Sequence, residues 1–304
     1  RFESAFAGVV SEGGRVRGVR LAGGDELPAD AVVLAVGHSA RPVYAWAAEA
    51  RLALEPKPLA VGVRLEHPQS TIDAIQYGRA AGHPKLPPAF YEWKTQARGR
   101  GVYSFCMCPG GFIVPAATEP EGVVTNGMSL SKRSSRYANA GLVVTVGPED
   151  FGAGPLAGVL FQRALEQAAY REGGGDLRAP AQRLGDVLAG RASTTTPDCS
   201  YRPGLQPTDL ARVFPEPLFL ALRDGLADFA ARIPGFLHPD AVLVGVETRT
   251  SAPVRIVRDP ESLMSPSLAG LYPSGEGAGY AGGIVSAALD GVRVAEAIVR
   301  NTAS

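Results

Sequence analysis

The sequence predicts an α/β fold, and three observations carry that reading. An antiparallel meander at the start feeds an apolar strand that stops at a glycine. A middle segment mixes strand and helix signals. A glycine-rich strand-to-helix connection stands close to the end. At 304 residues the chain has room for one large or two ordinary domains. Hydrophobic residues make up 45% and charged residues 20%, the balance of a soluble globular protein. Net charge is zero, so no field of one sign argues for nucleic acid or for a membrane surface. No apolar run reaches the roughly 18 residues that a membrane helix needs. Cys106, Cys108 and Cys199 make no disulfide framework, which predicts a reducing, cytoplasmic setting.

"AFAGVVSE" and "RVRGVRL" read as strands joined by a Gly-Gly hairpin turn, and "GGDELPAD" turns again. "AVVLAVG" is apolar at every position from Ala31 to Val36, as in a strand buried on both faces of a sheet. It ends in Gly37-His38-Ser39, where a backbone is free to approach a ligand closely. In the middle, "PLAVGVRLEHP", "GVVTNGMSL" and "AGLVVTVG" read as strands. "RGVYSFCMCPGGFIVPA" reads as two strands around a Pro-Gly-Gly turn. "TIDAIQYG", "LAGVLFQRALEQAAYREG", "PAQRLGDVLAG" and "PLFLALRDGLADFAARIPG" read as helices. Residues 191–206, rich in Ser, Thr and Pro, read as a long surface loop. "DAVLVGVETRTSAPVRI" returns to strand character.

The last connection is the most informative. "LAGLY" is a strand, and Gly277-Ala-Gly279-Tyr-Ala-Gly282 matches G-x-G-x-x-G. Beyond it, Ile284, Val285, Ala288, Val292, Ala295 and Val299 fall on one helical face. Ala287, Ala288 and Gly291 are small enough to let that helix lie close to a sheet. Its first turn offers unpaired N–H groups and a partial positive charge. The plainer alternative is a tight strand-to-helix connection with no ligand. The motif usually opens a dinucleotide-binding unit near the start of a domain, followed by an acidic residue. Nothing in the first sixty residues has that form.

"LAVGHSAR", "LAVGVRLEH", "YSFCMCPGGFIV", "NGMS", "ETRTSAPVRI" and "YPSGEGAGYAGGIVSAALDG", in this order along nearly the whole chain, resemble a bacterial family of uncharacterised FAD-dependent dehydrogenases. The resemblance implies a glutathione-reductase-like FAD/NAD(P)-binding domain with an inserted mixed α+β substrate domain. It divides the chain into residues 1–58 and 244–304, parts of the FAD domain, and 59–243, the insertion. It implies FAD as cofactor, an organic small-molecule substrate, and NAD(P)H as a candidate reductant. The family's N-terminal nucleotide-binding unit has no counterpart here, so this chain by itself is expected to retain little FAD. A cofactor-free binding or partner-interaction module is the alternative reading. An RNA-modifying flavoprotein is disfavoured by the neutral charge.

On that resemblance, Gly37, Gly275, Glu276, Gly277, Gly279, Gly282, Gly283 and Ile284 are the cofactor-binding candidates. Glu276 is expected to accept a hydrogen bond from a ribityl hydroxyl, or else to cap the last helix or pair with an arginine. Gly282 and Gly283 are expected to let the flavin ring lie against backbone N–H groups. Arg249, Arg255 and His38 are the catalytic candidates. The two guanidiniums suit a substrate carboxylate or the flavin edge, or a salt bridge to Glu247 or Glu276. "GVETRTS" as a strand would put Glu247, Arg249 and Ser251 on one face. His38 touches cofactor or substrate, or caps a strand end. Arg64 and His67 face either a substrate cavity or the surface. Asn126 and Asn139 read as turn residues. No metal site is expected, because C-x-C lacks a set of four ligands. Cys106 and Cys108 would share one face of a strand, and are read as small buried hydrophobes rather than a redox pair.

Overall fold

The computed structural model describes residues 2–303 and falls into two compact units. Unit 1 comprises Arg1–Leu59, Gly147–Phe161 and Arg249–Ser304, and unit 2 Ala60–Val146 and Gln162–Thr248. The units interleave along the chain. Gly147–Phe161 clusters with unit 1, and the stretch before Arg249 stays with unit 2, where its strand is part of the larger sheet.

Unit 1 opens with the meander β1 (Phe6–Glu12), β2 (Arg15–Leu21) and β3 (Glu26–Pro28), paired antiparallel in that order. Gly13 and Gly14 close the first hairpin with φ of 57° and 75°, the pair of positive angles that suits the twist of the flanking strands. Next comes β4 (Val32–Leu34). It is shorter than the apolar run and is not buried on both faces. Val32 and Leu34 point into the core, while Val33 is 45% exposed. Among the described residues β4 pairs only with a later parallel strand, whose residues are all buried. Helix α1 (Arg41–Glu49) carries Pro42 in its first turn and buries Tyr44 and Ala47 against Val32, Leu34 and the core. β5 (Leu54–Pro56) follows.

Unit 2 is built on β6 (Leu59–Pro68), whose residues are buried as far as His67. Then come α2 (Gln69–Tyr77), β7 (Lys94–Ala97), β8 (Arg100–Cys108), β9 (Gly111–Pro115), β10 (Thr125–Ser129) and β11 (Tyr137–Val146). The short α3 (Pro148–Phe151) and the start of α4 (Ala157–Glu172) belong to unit 1, and the rest of α4, from Gln162, to unit 2. β12 (Ala179–Arg183), α5 (Leu184–Leu188), β13 (Leu205–Pro207), α6 (Glu216–Arg232) and β14 (Val242–Glu247) complete the unit. Seven strands form one mixed sheet in the order β13-β12-β14-β6-β11-β8-β7. β9 and β10 form a separate antiparallel ribbon. The two strands expected around Pro109-Gly110-Gly111 are present as β8 and β9, but they do not pair with each other, since β8 pairs with β7 and β11. The stretch expected as a helix around Pro180 is half strand. Ala179 and Ala181 are buried on β12 and only the end coils into α5. α6 packs across β7, β8 and β11.

The chain returns to unit 1 through β15 (Val254–Ile256), which pairs with β5, and β16 (Leu271–Pro273), which pairs in parallel with β4. α7 (Ile284–Ala303) follows. Its buried positions are Asp290, Val294 and Ala297. The apolar stripe from Ile284 to Val299 has the expected spacing but faces outward, with Ile284 91% exposed. Among the described residues no helix is long and apolar enough to cross a membrane.

Candidate functional site

In unit 1, two loops meet where β4 and β16 end. Gly37 leaves β4 with φ of 73°, and a Cβ placed on Gly277 would strike the Gly37 carbonyl oxygen. The two backbones therefore touch directly, and only glycine fits at 277. Tyr44 on α1 donates from Oη to the Gly277 carbonyl at 2.8 Å. From the other side, Asp290 on α7 accepts from the Gly275 N–H at 2.7 Å. Arg258 clamps Asp290 with bonds of 3.0 and 2.6 Å and lies 3.8 Å above the Tyr280 ring. Burial alone would push the Asp290 carboxyl up, but Arg258 and the loop amide hold it below its ordinary value. Gly279, at φ of 85°, rests against the Val254 carbonyl and the Arg255 backbone. The loop from Ser274 to Tyr280 is thus pinned at several points.

Glu276 projects from that pinned loop, half-buried, with Oε1 3.9 Å from His38 Nε2. That is too long for a hydrogen bond. Glu276 lies well before the first turn of α7, so it does not cap that helix. The His38 ring also approaches Ser39 Oγ, at 3.2 Å from Nδ1. Burial lowers the His38 pKa below its ordinary value, and the nearby charges of Arg249 and Arg41 lower it further against the pull of Glu276. Arg249 is buried, in a bend after β14 rather than on the strand itself, so the expected common face with Glu247 and Ser251 is broken. Arg255 on β15 lies 4.0 Å from Glu55 and 5.4 Å from the Tyr280 ring centre, and its Nε is buried without a hydrogen-bond partner. Gly282 and Gly283 have no heavy atom within 4 Å of an added Cβ. Their N–H groups already bond Ser286 Oγ at 3.3 and 3.1 Å. Ile284 is the exposed first residue of α7.

Unit 2 holds a second cluster, which the sequence reading divided among unrelated roles. Arg64 on β6 is wholly buried, not at the surface. Its Nε and Nη2 donate to both oxygens of Glu247 at 2.6 and 2.8 Å. Nη2 also donates to Asn126 Oδ1 at 2.8 Å, and Nη1 to Asn139 Oδ1 at 3.3 Å and to the Cys106 carbonyl at 2.9 Å. Asn126 and Asn139 are strand residues on β10 and β11, not turn residues, and Glu247 is taken by Arg64 rather than by Arg249 or Arg255. Burial pushes the Glu247 carboxyl up, while Arg64 pulls it back. The signal that could have placed Arg64 and His67 inside was the strand carrying them. "LAVGVRLEH" is the central strand of a wide sheet, where both faces are covered. A cavity of about 700 Å³ also lies in unit 2, lined by residues from Phe90 to Met107 and by Thr145, and none of the candidates in unit 1 lines it.

A profile of the family described as "FAD-dependent protein, C-terminal domain-like" matches residues 58–250. The chain is also similar to an uncharacterised protein of Clostridium beijerinckii, 45% identical over 303 residues, which take in 98% of this chain and 56% of that relative. The chain belongs to the family of FAD-dependent proteins that carry this C-terminal domain. It spans little more than half the length of the relative it matches.

Proposed function

We propose that the chain serves a flavoprotein oxidoreductase, a dehydrogenase of an organic substrate, and that the two touching loops of unit 1 hold the ribityl and ring end of FAD. The observation that carries this reading is Glu276. Its backbone is locked by Tyr44, Asp290 and Gly37, yet its carboxylate makes no hydrogen bond of ordinary length among the described residues. A fixed, half-buried acceptor with no donor of its own fits a ligand hydroxyl. The space in front of Gly282 and Gly283 fits a flat ring laid on backbone. Since those two amides already bond Ser286, the ring contact there is one of van der Waals packing rather than the N–H contact expected from the motif.

Bound FAD supplies two-electron chemistry, and the protein supplies position and electrostatics. His38 stands 3.9 Å from Glu276, and burial disfavours its protonated form, which leaves the carboxylate open as an acceptor. The forked Arg249 guanidinium near His38 suits the carboxylate of a substrate or the anionic edge of the ring. Arg255 Nε, a buried donor with no partner, offers a second such bond.

FAD titration into apo-protein expressed from its whole gene tests the reading. A hydrogen bond to a charged acceptor contributes about 1.5–3 kcal/mol, so Glu276→Ala should weaken FAD roughly ten- to a hundredfold. Gly282→Val should weaken it further while melting like the parent, because nothing in the fold occupies that space. Unchanged dissociation constants for both variants would sink the assignment.

A further inference from the structure

We propose that Cys106 and Cys108 form a reversible dithiol–disulfide site, with Cys106 the attacking thiol and Cys108 the resolving one, served by the aromatic groove of unit 2. The proposal stands on unit 2 alone and does not depend on the flavin reading. The cysteines are not the buried packing pair that the sequence suggested. Cys106 is exposed and Cys108 half-buried, and both are thiols.

The backbone gives the first argument. Cys106 has φ of 44° and is the one non-glycine residue with positive φ inside a strand among the described residues. The pairing of β8 with β11 passes from Asn139–Cys108 to Gly141–Phe105, so β8 carries one extra residue there. A bulge re-aims a side chain, and the left-handed region is costly for a residue with a Cβ. Packing of a small hydrophobe requires neither. Strain of this kind persists where the surroundings enforce it and concentrates at working sites.

The surroundings give the second. The Cys106 carbonyl accepts from Arg64 Nη1 at 2.9 Å and from the Cys108 thiol at 3.5 Å. A Cβ on Gly127 would stand 2.5 Å from Arg64 Nη1 and 2.8 Å from Cys108 Sγ, so the guanidinium and the second thiol share one tight space. A fixed cation beside a sulfur favours its thiolate. Burial raises the Cys108 pKa and Arg64 works against that rise, as suits a thiol that reacts second.

The groove gives the third. Cys106 lines the 700 Å³ cavity together with Phe90, Tyr91, Trp93, Tyr103 and Phe105. Tyr91 and Trp93 stack with centroids 3.6 Å apart, which makes a flat apolar wall. Tyr91 Oη and Asn139 Nδ2 are buried polar atoms without partners, and Asn139 stands opposite Cys108 in the ladder. The structure thus has an apolar entry, an exposed thiol lining it, and a second thiol two residues on whose sulfur reaches the carbonyl of the first.

The reaction is thiol–disulfide exchange with a small organic disulfide. The Cys106 thiolate attacks one sulfur of the disulfide. Its S–S bond breaks, one organic thiolate leaves and takes a proton from water, and a mixed disulfide remains on Cys106. Cys108 then gives its proton to water and attacks Cys106 Sγ, which expels the second organic thiolate. Two protein thiols are oxidised to one disulfide, and the organic disulfide is reduced to two thiols.

Oxidised glutathione is the probe, added to the reduced protein, with alkylation of remaining thiols and peptide mass analysis. The parent should lose both alkylatable thiols from the Cys106–Cys108 peptide together, with the loss of two hydrogens. Excess reduced glutathione should restore them. Cys108→Ser should stop at a glutathione adduct on Cys106, and Cys106→Ser should slow the modification of Cys108 at least tenfold. Cys199, whose thiol is pushed well up by burial and by Glu66, should stay alkylatable throughout and serves as the internal control. Cys106→Ala, carried in parallel with its melting curve, separates lost reactivity from lost fold. A parent that halts at the mixed disulfide, thiols that stay alkylatable across the glutathione range, or a link to Cys199 would each overturn the proposal.

Discussion

His67 lies on the central strand of unit 2 with no exposed surface. Its Nε2–H donates to the Phe236 carbonyl at 2.8 Å, and its Nδ1 is buried without a partner. Burial lowers its pKa to about 4 from an ordinary 6.5. The folded state therefore refuses a proton that the unfolded state accepts. Unfolding takes up protons between those two values, so stability rises with pH across that window and is lost as pH falls through it. Full protonation of the unfolded state amounts to roughly 3 kcal/mol. His67→Gln keeps a donor for Phe236 but does not titrate. Urea denaturation of parent and variant at pH 7 and pH 4.5 should show a shallower loss for the variant. Equal losses would assign the acid sensitivity elsewhere. Neither this residue nor Arg64 was legible as an interior group from its own identity, because charged and polar side chains are seldom buried alone. What buries them is the partner set, and those partners come from distant segments.

At the scale of elements, spacing revealed which residues share a face but not what lies against that face. The α7 stripe is the clearest case. Its period is right, yet the side turned to the core carries Asp290, Val294 and Ala297. Asp290 faces inward because it ties the glycine loop to Arg258, a tertiary reason invisible to periodicity. The strands beside Pro109-Gly110-Gly111 show the same limit. The turn signal is genuine, but the long-range pairing of β8 with β11 overrides the local hairpin. The β9–β10 ribbon makes a testable contribution of its own. Gly127 in β10 sits where a Cβ would stand 2.5 Å from both Arg64 Nη1 and Asn139 Oδ1. Both atoms are held by hydrogen bonds and cannot retreat as a flexible chain end would. Gly127→Ala should therefore cost about 1–3 kcal/mol, the range for overpacking. Gly282→Ala, at an open position, should cost little. Denaturation of the two variants side by side checks the contrast, and similar costs would show that the Arg64 cluster yields.

At the scale of the whole molecule, the α/β class, most strands of both units and the longer helices were legible, because alternation and helical period are local properties. The division into units was less so. Gly147–Phe161 returns to unit 1 in the midst of the sequence of unit 2, and its glycines and prolines read as a turn rather than as a passage between units. Of the unit 1 candidates, Gly37, His38, Glu276 and Gly277 come together because two parallel strands end side by side and each hands on to a glycine. A glycine pattern suggests such a meeting only for its own loop, and the partner loop lies far back in the chain.

Arg64 also shapes how unit 2 is assembled in time. Its partners stand 42, 62, 75 and 183 residues away along the chain and arrive on four different strands. Until the last of them is in place, the central strand carries a cation cut off from water without its full set of acceptors, and removal of one partner from a buried pair costs about 3–5 kcal/mol. Partly built sheets are penalised accordingly, and the penalty lifts only when β14 brings Glu247. Unit 2 should thus open and close as one cooperative body. Native-state hydrogen exchange should place the slowest amides of β6, β11 and β14 on a single free energy of opening. A β14 that exchanges well below β6 would show the sheet able to tolerate an orphaned charge. The same guanidinium that settles which strands meet also leaves the polypeptide few stopping points on the way to its native state, and hence little time with the edges of a wide sheet open to other chains.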